Sequence, residues 1–347
     1  MIAAVLNKIK NFEVREDYPI PKLEKDDVLV QVAYCGICGT DKLIYDGNFE
    51  VKMPIVTGHE YSGTIVDIGA GLGGFRIDDK VAVNPNIHCG YCRMCKVGKI
   101  QFCLNHKALG VTENGGFAEF SAVPVSQLYG LSADTDLSVA AFAEPLSCCL
   151  RGMEHAKIKH GESVVIVGGG SIGQIMLQLA KNSAASKVLL VEPIESKRRL
   201  ALELGADLSL DPFEDKFLNQ FYNFTNGGAD VVIECVGKKE AVELTVDLAA
   251  KGGRVVIFGL THKNEKATFD LNKLFNKEIQ INNSFLNPFT FQQAIDLISE
   301  NKLPLSILIS KQTEISSISD AFDSSENSFL IKQQIFTKPR SDYETKI

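Results

Sequence analysis

The chain has 347 residues, of which 45% are hydrophobic and 23% are charged, and its formal net charge is −7. This length favours two domains, because a single hydrophobic core rarely grows beyond about 250–300 residues. The acidic balance argues against broad binding to nucleic acids or anionic membranes, which requires a basic face. No apolar run approaches the roughly 20 residues that span a bilayer, and the amino terminus lacks the pattern of a secretory signal, so we expect a cytoplasmic protein.

The amino-terminal part of the chain predicts short strands. Residues 28–34 alternate in polarity, and residues 62–68 are rich in residues that favour strands. Glycines interrupt the sequence before and after the second of these segments. Together these features favour an irregular antiparallel domain that extends to about residue 130.

Two separated segments of this part carry candidate metal ligands. They are Gly36-Ile-Cys38-Gly-Thr40-Asp41 and Gly58-His59-Glu60. A thiolate, an imidazole and a carboxylate form a mixed set that suits zinc and can leave one coordination position open. A single histidine is more often an ordinary core or surface residue, but beside Cys38, a cysteine cluster and a dinucleotide motif a ligand role is favoured for His59.

Four of the nine cysteines lie close together in sequence, at Cys89, Cys92, Cys95 and Cys103. An odd number of cysteines without a secretory signal argues against a disulfide framework and favours metal ligation. Four thiolates around one zinc leave no position for substrate, so this site would be structural. The alternatives are four reduced thiols in a loop, or a zinc ribbon that binds nucleic acid.

The pattern changes after about residue 150. Short apolar runs at 163–167, 187–192, 230–234 and 254–258 are typical of buried parallel strands. Helical spacing begins at Ile172 and recurs in 195–204, 240–250 and 290–300, and Gly205 ends the second of these helices. Strands that alternate with helices predict an α/β fold with a doubly wound parallel sheet.

A glycine-rich segment joins the first of these strands to the first helix. Its residues are Gly168, Gly169, Gly170, Ser171, Ile172 and Gly173. This context is typical of a dinucleotide site, where the glycines permit a tight turn and the helix amino terminus faces the phosphates. Glu192 ends the next strand and favours NAD, because a carboxylate would repel the 2′-phosphate of NADP, although Lys197 and Arg198 nearby weaken this preference. The alternative is a glycine turn that binds nothing.

These motifs together resemble the zinc-containing medium-chain dehydrogenase/reductase family, in its polyol and threonine dehydrogenase branch, over nearly the whole chain. The resemblance also includes Gly115-Gly-Phe-Ala-Glu119, Glu144-Pro-Leu-Ser147 and Gly252-Gly-Arg-Val-Val-Ile-Phe258-Gly259. It implies a GroES-like, β-rich catalytic domain in residues 1–150, completed by residues 286–347, and a Rossmann-fold NAD domain in residues 151–285. Members of this family are dimers or tetramers, so we expect a homo-oligomer.

The resemblance also implies roles for individual residues. Cys38, His59 and one carboxylate, either Glu60 or Glu144, would hold a catalytic zinc, and the four-cysteine cluster would hold a structural zinc. Thr40 would pass on the proton of the substrate hydroxyl, unless it only caps a helix that begins near Asp41. The cofactor-binding residues would be Gly168, Gly170, Ser171, Ile172, Gly173, Glu192, Val236, Phe258 and Gly259.

The implied reaction is the reversible oxidation of a secondary alcohol of a polyol or similar small substrate to a ketone, with hydride transfer to NAD.

Two departures from the family pattern make sorbitol itself doubtful: Leu43 stands where many relatives have histidine, and Leu286 where sorbitol enzymes have arginine. L-Threonine, secondary diols such as butanediol and phosphorylated polyols stay open as substrates. Tyr45, Phe49, Asn287 and Phe289 are either pocket or core residues. The alternative from a different functional class is a non-catalytic protein that binds zinc and a nucleotide.

Overall fold

The computed structural model describes residues 1–70, 74–323 and 329–338. The chain divides into two compact units. One comprises Met1–Pro145, Phe291–Ser325 and Lys332–Ile347, and the other Leu146–Thr290 and Glu326–Ile331, as far as these residues are described. Within the described ranges, every helix is too short or too polar to span a membrane.

Strands dominate the amino-terminal part of the chain, and strands and helices alternate after it. The strands and helices up to Ala156 are β1 (Ala3–Lys8), β2 (Asn11–Arg15), β3 (Asp27–Gly36), α1 (Gly39–Tyr45), β4 (Ile55–Val56), β5 (Glu60–Ile68), β6 (Lys80–Val83), β7 (Asn86–Ile87), α2 (Arg93–Lys96), β8 (Lys107–Ala108), β9 (Phe120–Pro124), β10 (Leu128–Gly130), α3 (Leu137–Ala140) and α4 (Ala143–Ala156). Then follow β11 (Ser163–Val167), α5 (Ser171–Lys181), β12 (Lys187–Val191), α6 (Glu195–Glu203), β13 (Leu208–Leu210), α7 (Phe217–Thr225), β14 (Ala229–Glu234), α8 (Lys239–Leu248), β15 (Ala249–Ile257), α9 (Leu271–Lys277) and β16 (Gln280–Asn283). The last are α10 (Phe291–Ser299), β17 (Ile309–Glu314), α11 (Ile318–Asp323) and β18 (Lys332–Phe336).

The first unit is built on mainly antiparallel sheets. In its largest sheet the strand order is β10-β6-β5-β3-β18-β17, and β9 pairs with β3. Strand β3 therefore lies between the neighbouring strand β5 and β18, which comes from the carboxyl-terminal end of the chain. A smaller sheet has the order β2-β1-β4.

A continuous apolar core fills the first unit. It includes the buried faces of β1, β3 and β5 and a cluster of aromatic rings. Tyr45 stacks on Phe12 at a centroid distance of 5.4 Å and contacts Phe322 at 5.1 Å. Tyr45 is only 5% exposed and is therefore a core residue, which was one of the two roles that the sequence left open.

The second unit is a six-stranded parallel sheet of order β13-β12-β11-β14-β15-β16. This confirms the predicted doubly wound fold, and β11 has the predicted bounds because its five residues are buried on both faces. In this unit, two boundaries were wrong by two residues or more: the helix predicted to reach residue 250 ends at Leu248, and the strand predicted over 254–258 already begins at Ala249. Ala249 pairs with Ala229 of β14, so strand pairing overrides the helical preference of alanine there.

Candidate functional site

The pairing of β3 with β5 brings the first set of candidate ligands together. Gly36 at the end of β3 lies opposite Glu60 at the beginning of β5. Cys38 follows β3 by two residues and His59 precedes β5, so both lie at the same end of the pair. The ligand atoms of Cys38, His59 and Glu60 all lie within 4.8 Å of one another.

A buried aspartate, Asp41, ties the two ligand-bearing segments together. One of its carboxylate oxygens accepts a hydrogen bond from the amide of Cys38 at 2.9 Å, and the other accepts one from the amide of Gly58 at 3.1 Å. The second oxygen also lies 3.5 Å from Nδ1 of His59. Gly58 can turn the chain at this point because its φ is +88°, a conformation that side chains with a Cβ rarely adopt. The sequence indicated Asp41 only as the beginning of a helix; its position three residues after Cys38 was the available signal.

The charges around His59 favour a cation. Burial disfavours the protonated imidazole, but the charges of Asp41 and Cys38 outweigh this effect and raise the pKa of His59 well above its usual value. Without a metal the site therefore attracts a proton. A divalent cation is attracted by the same charges, so the donor set fits zinc by its ligand chemistry as well as by its spacing.

Glu60 has a buried partner that the sequence did not indicate. Nζ of Lys332, on β18, forms an ion pair with Glu60 and donates a hydrogen bond to the carbonyl of Ile37 at 3.1 Å. The side chains of Lys332 and Glu60 are 3% and 2% exposed. Burial opposes the charge of Lys332, but the neighbouring Glu60 and Cys38 raise its pKa. Gly36 leaves room for this pair, because a Cβ there would collide with both side chains.

The other two residues expected at this site are placed differently. Glu144 is buried at the beginning of α4 and is not a member of the group formed by Cys38, His59 and Glu60. Thr40 is half-buried in α1, and within the described part of the chain no hydrogen bond engages its hydroxyl. The helix begins at Gly39 with Cys38 as its N-cap, so the alternative role of Thr40 as a cap was wrong.

The four cysteines of the second cluster have the spacing of a zinc tetrahedron. The sulfur–sulfur distances are 4.0 Å for Cys89–Cys95, 3.5 Å for Cys92–Cys95, 3.9 Å for Cys92–Cys103 and 3.5 Å for Cys89–Cys103. Sulfurs about 2.3 Å from a central zinc would be about 3.8 Å apart. Burial opposes ionisation of Cys89, but amide hydrogen bonds from Cys92 and Tyr91 outweigh it and lower its pKa to about 6. Burial and the side-chain hydrogen bond with Cys92 instead raise the pKa of Cys95 to about 12, so the sulfur–sulfur distances are the observation that fits a structural zinc.

In the glycine-rich turn of the second unit, the backbone segments lie too close together for side chains with a Cβ. A Cβ on Gly173 would collide with the carbonyl oxygen of Gly168, and Gly168 itself has a φ of +102°. Helix α5 begins at Ser171 with Gly170 as its N-cap. The amides of its first turn have no partners within the helix and can bind phosphate oxygens.

Glu192 lies directly behind this turn. Its carboxylate accepts hydrogen bonds from the amides of Gly169 at 2.6 Å and Ile194 at 3.0 Å. Nε2 of Gln174 also stabilises this turn, because it donates hydrogen bonds to the carbonyls of Gly169 at 3.2 Å and Lys197 at 3.0 Å. Gln174 is fully buried on α5 and was missed, although a glutamine at an apolar position of a helix was a visible signal.

The remaining predicted cofactor residues lie at the same edge of the sheet. Val236 follows β14, and Phe258 and Gly259 follow β15. A Cβ on Gly168 would lie 2.6 Å from Cγ2 of Val236, so the segment after β14 packs against the glycine-rich turn. Because β11 and β14 are adjacent and their connections leave in opposite directions, this edge is the switch point where doubly wound sheets bind ligands.

The second unit also shows where Asn287 and Phe289 lie. Asn287 is 2% exposed, and its Nδ2 donates to Oγ of Ser147 at 2.7 Å. Phe289 is 68% exposed and has a φ of +64°. Asn287 therefore anchors its segment to α4, and Phe289 is a surface residue of this unit.

Comparisons with known proteins support both units. Residues 24–133 match the family model of the alcohol dehydrogenase GroES-like domain, and residues 171–300 match that of zinc-binding dehydrogenases. The chain is 35% identical over 326 residues to the 2-dehydro-3-deoxy-L-galactonate 5-dehydrogenase of Pseudoalteromonas atlantica, which covers 93% of this chain and 94% of the relative. It is 32% identical, with the same coverage, to a sorbitol dehydrogenase of Halalkalibacterium halodurans.

A solved structure is similar over nearly the full length. It is a zinc-binding dehydrogenase of Sinorhizobium meliloti 1021 with NADP bound, with a TM-score of 0.92 and 35% sequence identity. The match covers 96% of this chain and 98% of the other.

Proposed function

This chain belongs to the zinc-binding dehydrogenase family, and from that premise we propose that it oxidises a secondary hydroxyl of a small polyhydroxylated substrate to a ketone, with NAD as the hydride acceptor. The family assignment confirms the GroES-like and Rossmann folds and makes the protein a zinc-dependent oxidoreductase that acts on CH–OH groups with a nicotinamide dinucleotide. The observation that carries the proposal is the convergence of Cys38, His59 and Glu60 within 4.8 Å.

Cys38, His59 and Glu60 would hold the catalytic zinc. When bound, the ion supplies a Lewis acid that lowers the pKa of a substrate hydroxyl. Asp41 positions the two ligand segments through its hydrogen bonds to both. Thr40 is two residues from Cys38 and its hydroxyl is not otherwise engaged among the described residues, so we assign it the first step of a proton relay. In that step its hydroxyl accepts the substrate proton while its own proton leaves toward solvent. Leu43, one turn further along α1, cannot continue such a relay.

Charge balance favours Glu60 over Glu144 as the third protein ligand. Cys38, Asp41 and Glu60 carry three negative charges when ionised, and Lys332 carries one positive charge. A divalent zinc would make this buried group neutral, which minimises the cost of removing the charges from water. Coordination by Glu144 in addition would leave one uncompensated negative charge.

Two contacts support NAD as the preferred cofactor. Glu192 places a buried carboxylate directly behind the glycine-rich turn, where it would repel a 2′-phosphate. Arg198 could have attracted that phosphate, but its Nη1 already donates to the carbonyls of Glu192 at 2.8 Å and Pro193 at 2.6 Å and pairs with Asp211 at 3.1 Å. The Sinorhizobium relative holds NADP, so the cofactor preference is a property to be measured on this chain.

The substrate class rests on the relatives and on two residues of this chain. The two relatives named above are enzymes of a deoxy sugar acid and of sorbitol, both polyhydroxylated. Leu43 and Leu286 replace polar residues of the sorbitol and threonine branches, which favours a substrate with fewer polar contacts at those two positions. L-Threonine and secondary diols are the alternatives. We further propose a cytoplasmic homo-oligomer. All nine cysteines lie in the described part of the chain and none of them forms a disulfide there, which suits a reducing compartment.

A substrate panel with chelation controls tests the proposal. Polyols, sugar acids, diols and L-threonine are offered with NAD or NADP, and reduction of the cofactor is followed by absorbance. We expect a polyhydroxylated substrate and NAD to give the highest kcat/KM, Glu192→Ala to reduce the preference for NAD, and Cys38→Ser to abolish turnover while NADH binding survives. Full turnover by metal-free protein or by Cys38→Ser would refute the zinc mechanism.

A further inference from the structure

A buried carboxylate in the second unit serves no role in the chemistry described so far. Glu234 is the last residue of β14 and is 0% exposed. Among the described residues it forms no ion pair; its partners are backbone amides. Oε1 accepts hydrogen bonds from Val236 at 2.7 Å and Gly237 at 2.8 Å, and Oε2 accepts one from Gly259 at 3.2 Å. One side chain therefore links the segments that follow β14 and β15.

The two linked segments pack closely against each other, so their backbones have little room to move apart or shift. A Cβ on Gly259 would lie 2.7 Å from Oε2 of Glu234 and would collide with the amide nitrogen of Gly237. Gly237 has a φ of +72°, and a Cβ there would collide with the carbonyl oxygen of Leu260. The carboxylate therefore lies at the centre of a compact junction between the two strand ends.

The position of this junction points to one part of the cofactor. The pyrophosphate of a dinucleotide lies at the glycine-rich turn, and Glu192 marks the β12 side of that turn as the side of the adenosine ribose. The other half of the molecule must then extend in the opposite direction, over the ends of β14 and β15. Val236, which Glu234 holds by its amide, is also the residue that packs against Gly168.

The free-energy cost of burying the Glu234 carboxylate also argues for a specific role. Burial raises the pKa of this carboxyl although three amides donate to it, so the ionised form is not fully compensated. An apolar side chain would avoid this cost in a purely structural position. Departures of this kind concentrate at functional sites.

We propose that Glu234 is a positioning residue for the nicotinamide half of the dinucleotide, which acts by holding the segments after β14 and β15 in the geometry that receives the ring. The inference rests on the dinucleotide site proposed above. It assigns Glu234 no direct contact with the cofactor and no proton transfer.

Two ligands that differ in the nicotinamide distinguish this role from general stabilisation. NADH binding is measured by fluorescence and ADP-ribose binding by calorimetry, with wild type and Glu234→Gln. We expect the Kd for NADH to rise about tenfold in the variant and the Kd for ADP-ribose to stay within about twofold, because the amide of glutamine opposes the amide of Gly259. In turnover, the KM for NAD should rise while the KM for the alcohol does not.

Asp230→Asn is the matched control. Asp230 lies on the same strand but at its amino-terminal end, where it accepts hydrogen bonds from the amide and hydroxyl of Ser163 at 2.8 and 2.7 Å. It also joins two strands, yet it lies at the opposite edge, so both Kd values should stay within about twofold of wild type.

The inference would be overturned if Glu234→Gln raised the Kd values for NADH and ADP-ribose equally, or raised neither. It would also be overturned if Asp230→Asn raised the Kd for NADH relative to that for ADP-ribose as much as Glu234→Gln does. Failure of wild type to bind ADP-ribose would instead refute the dinucleotide site itself. If Glu234→Gln does not fold, Glu234→Asp carries the same test, because its shorter carboxylate cannot reach both segments.

Discussion

At the scale of single residues, the charges of the candidate metal site come from groups that are far apart in the chain. Cys38, Asp41, His59 and Glu60 lie within two short sequence segments, and these segments allowed the three candidate ligands to be predicted. Lys332 is 272 residues from Glu60 and reaches it only because β18 pairs with β3. No local pattern indicates such a partner, so tertiary pairing was needed to find it.

Removal of Lys332 should therefore destabilise the protein in a way that depends on the metal. Lys332→Met leaves Glu60 as a buried, uncompensated carboxylate, which costs about 3–5 kcal/mol when one partner of a buried pair is lost. Zinc restores a positive charge beside Glu60, so we expect a smaller loss in the zinc-loaded protein. Urea unfolding of metal-free and zinc-loaded samples measures the difference.

The matched control for this prediction is Lys338→Met. Lys338 pairs with Glu314 in the same carboxyl-terminal segment, but their side chains are 68% and 37% exposed. Exposed pairs contribute about 0–1 kcal/mol, so this variant should be close to wild type. Equal destabilisation by Lys332→Met with and without zinc would show that Lys332 does not compensate the charge of Glu60.

The choice between the two glutamates is a second prediction at this scale. We expect Glu60→Gln to retain about one zinc per chain after dialysis and Glu144→Gln to retain about two, because only Glu60 belongs to the group with Cys38 and His59. Elemental analysis measures the zinc content. The reverse pattern would assign the third ligand to Glu144 and leave Glu60 as the partner of Lys332 alone.

At the scale of elements, predictability follows from how each element is stabilised. The buried strands β11, β12 and β14 and the helices α5, α6 and α10 have strong local patterns, and their predicted positions are confirmed to within a few residues. Strands of two residues, such as β4 (Ile55–Val56) and β7 (Asn86–Ile87), have no periodicity of their own. They form only because a partner strand is already in place, so the sequence did not predict them.

The four-cysteine lobe, residues 86–108, is the clearest case of an element without a core. It contains only β7, a short helix, a 3₁₀ turn and β8, and its buried apolar residues are Cys103 and Ala108. Tyr91 and Leu104 are 68% and 75% exposed. With so little apolar burial, we expect metal ligation to supply most of the free energy that orders this lobe.

Loss of one lobe thiolate should thus affect stability more than chemistry. We expect Cys103→Ser to lower the Tm by at least about 5 °C, while kcat of the folded fraction stays within about twofold of wild type. Cys148→Ser, which alters a cysteine outside both clusters, is the control and should change neither value to this extent. An unchanged Tm for Cys103→Ser would show that the lobe is ordered without its metal.

At the scale of the whole molecule, the two units differ in how their sheets are assembled from the chain. All six strands of the parallel sheet lie between residues 146 and 290. The largest sheet of the first unit instead needs β18, which inserts between β3 and β17 and places Gln334 opposite Gly36. The sheet of the second unit therefore comes from one continuous segment, whereas the largest sheet of the first unit is completed only by strands from the carboxyl-terminal end of the chain.

This difference predicts opposite behaviour of two fragments. Residues 146–290 should fold alone and bind ADP-ribose, because the sheet, the glycine-rich turn and Glu192 are all contained in this segment. Residues 1–145 should not unfold cooperatively, because without β18 the inner strand β3 loses a partner along one edge and Glu60 loses Lys332. Circular dichroism during heating measures cooperativity, and calorimetry measures binding. A cooperative transition in the first fragment, or no binding by the second-unit fragment, would show that stability is distributed between the units differently from their strand pairing.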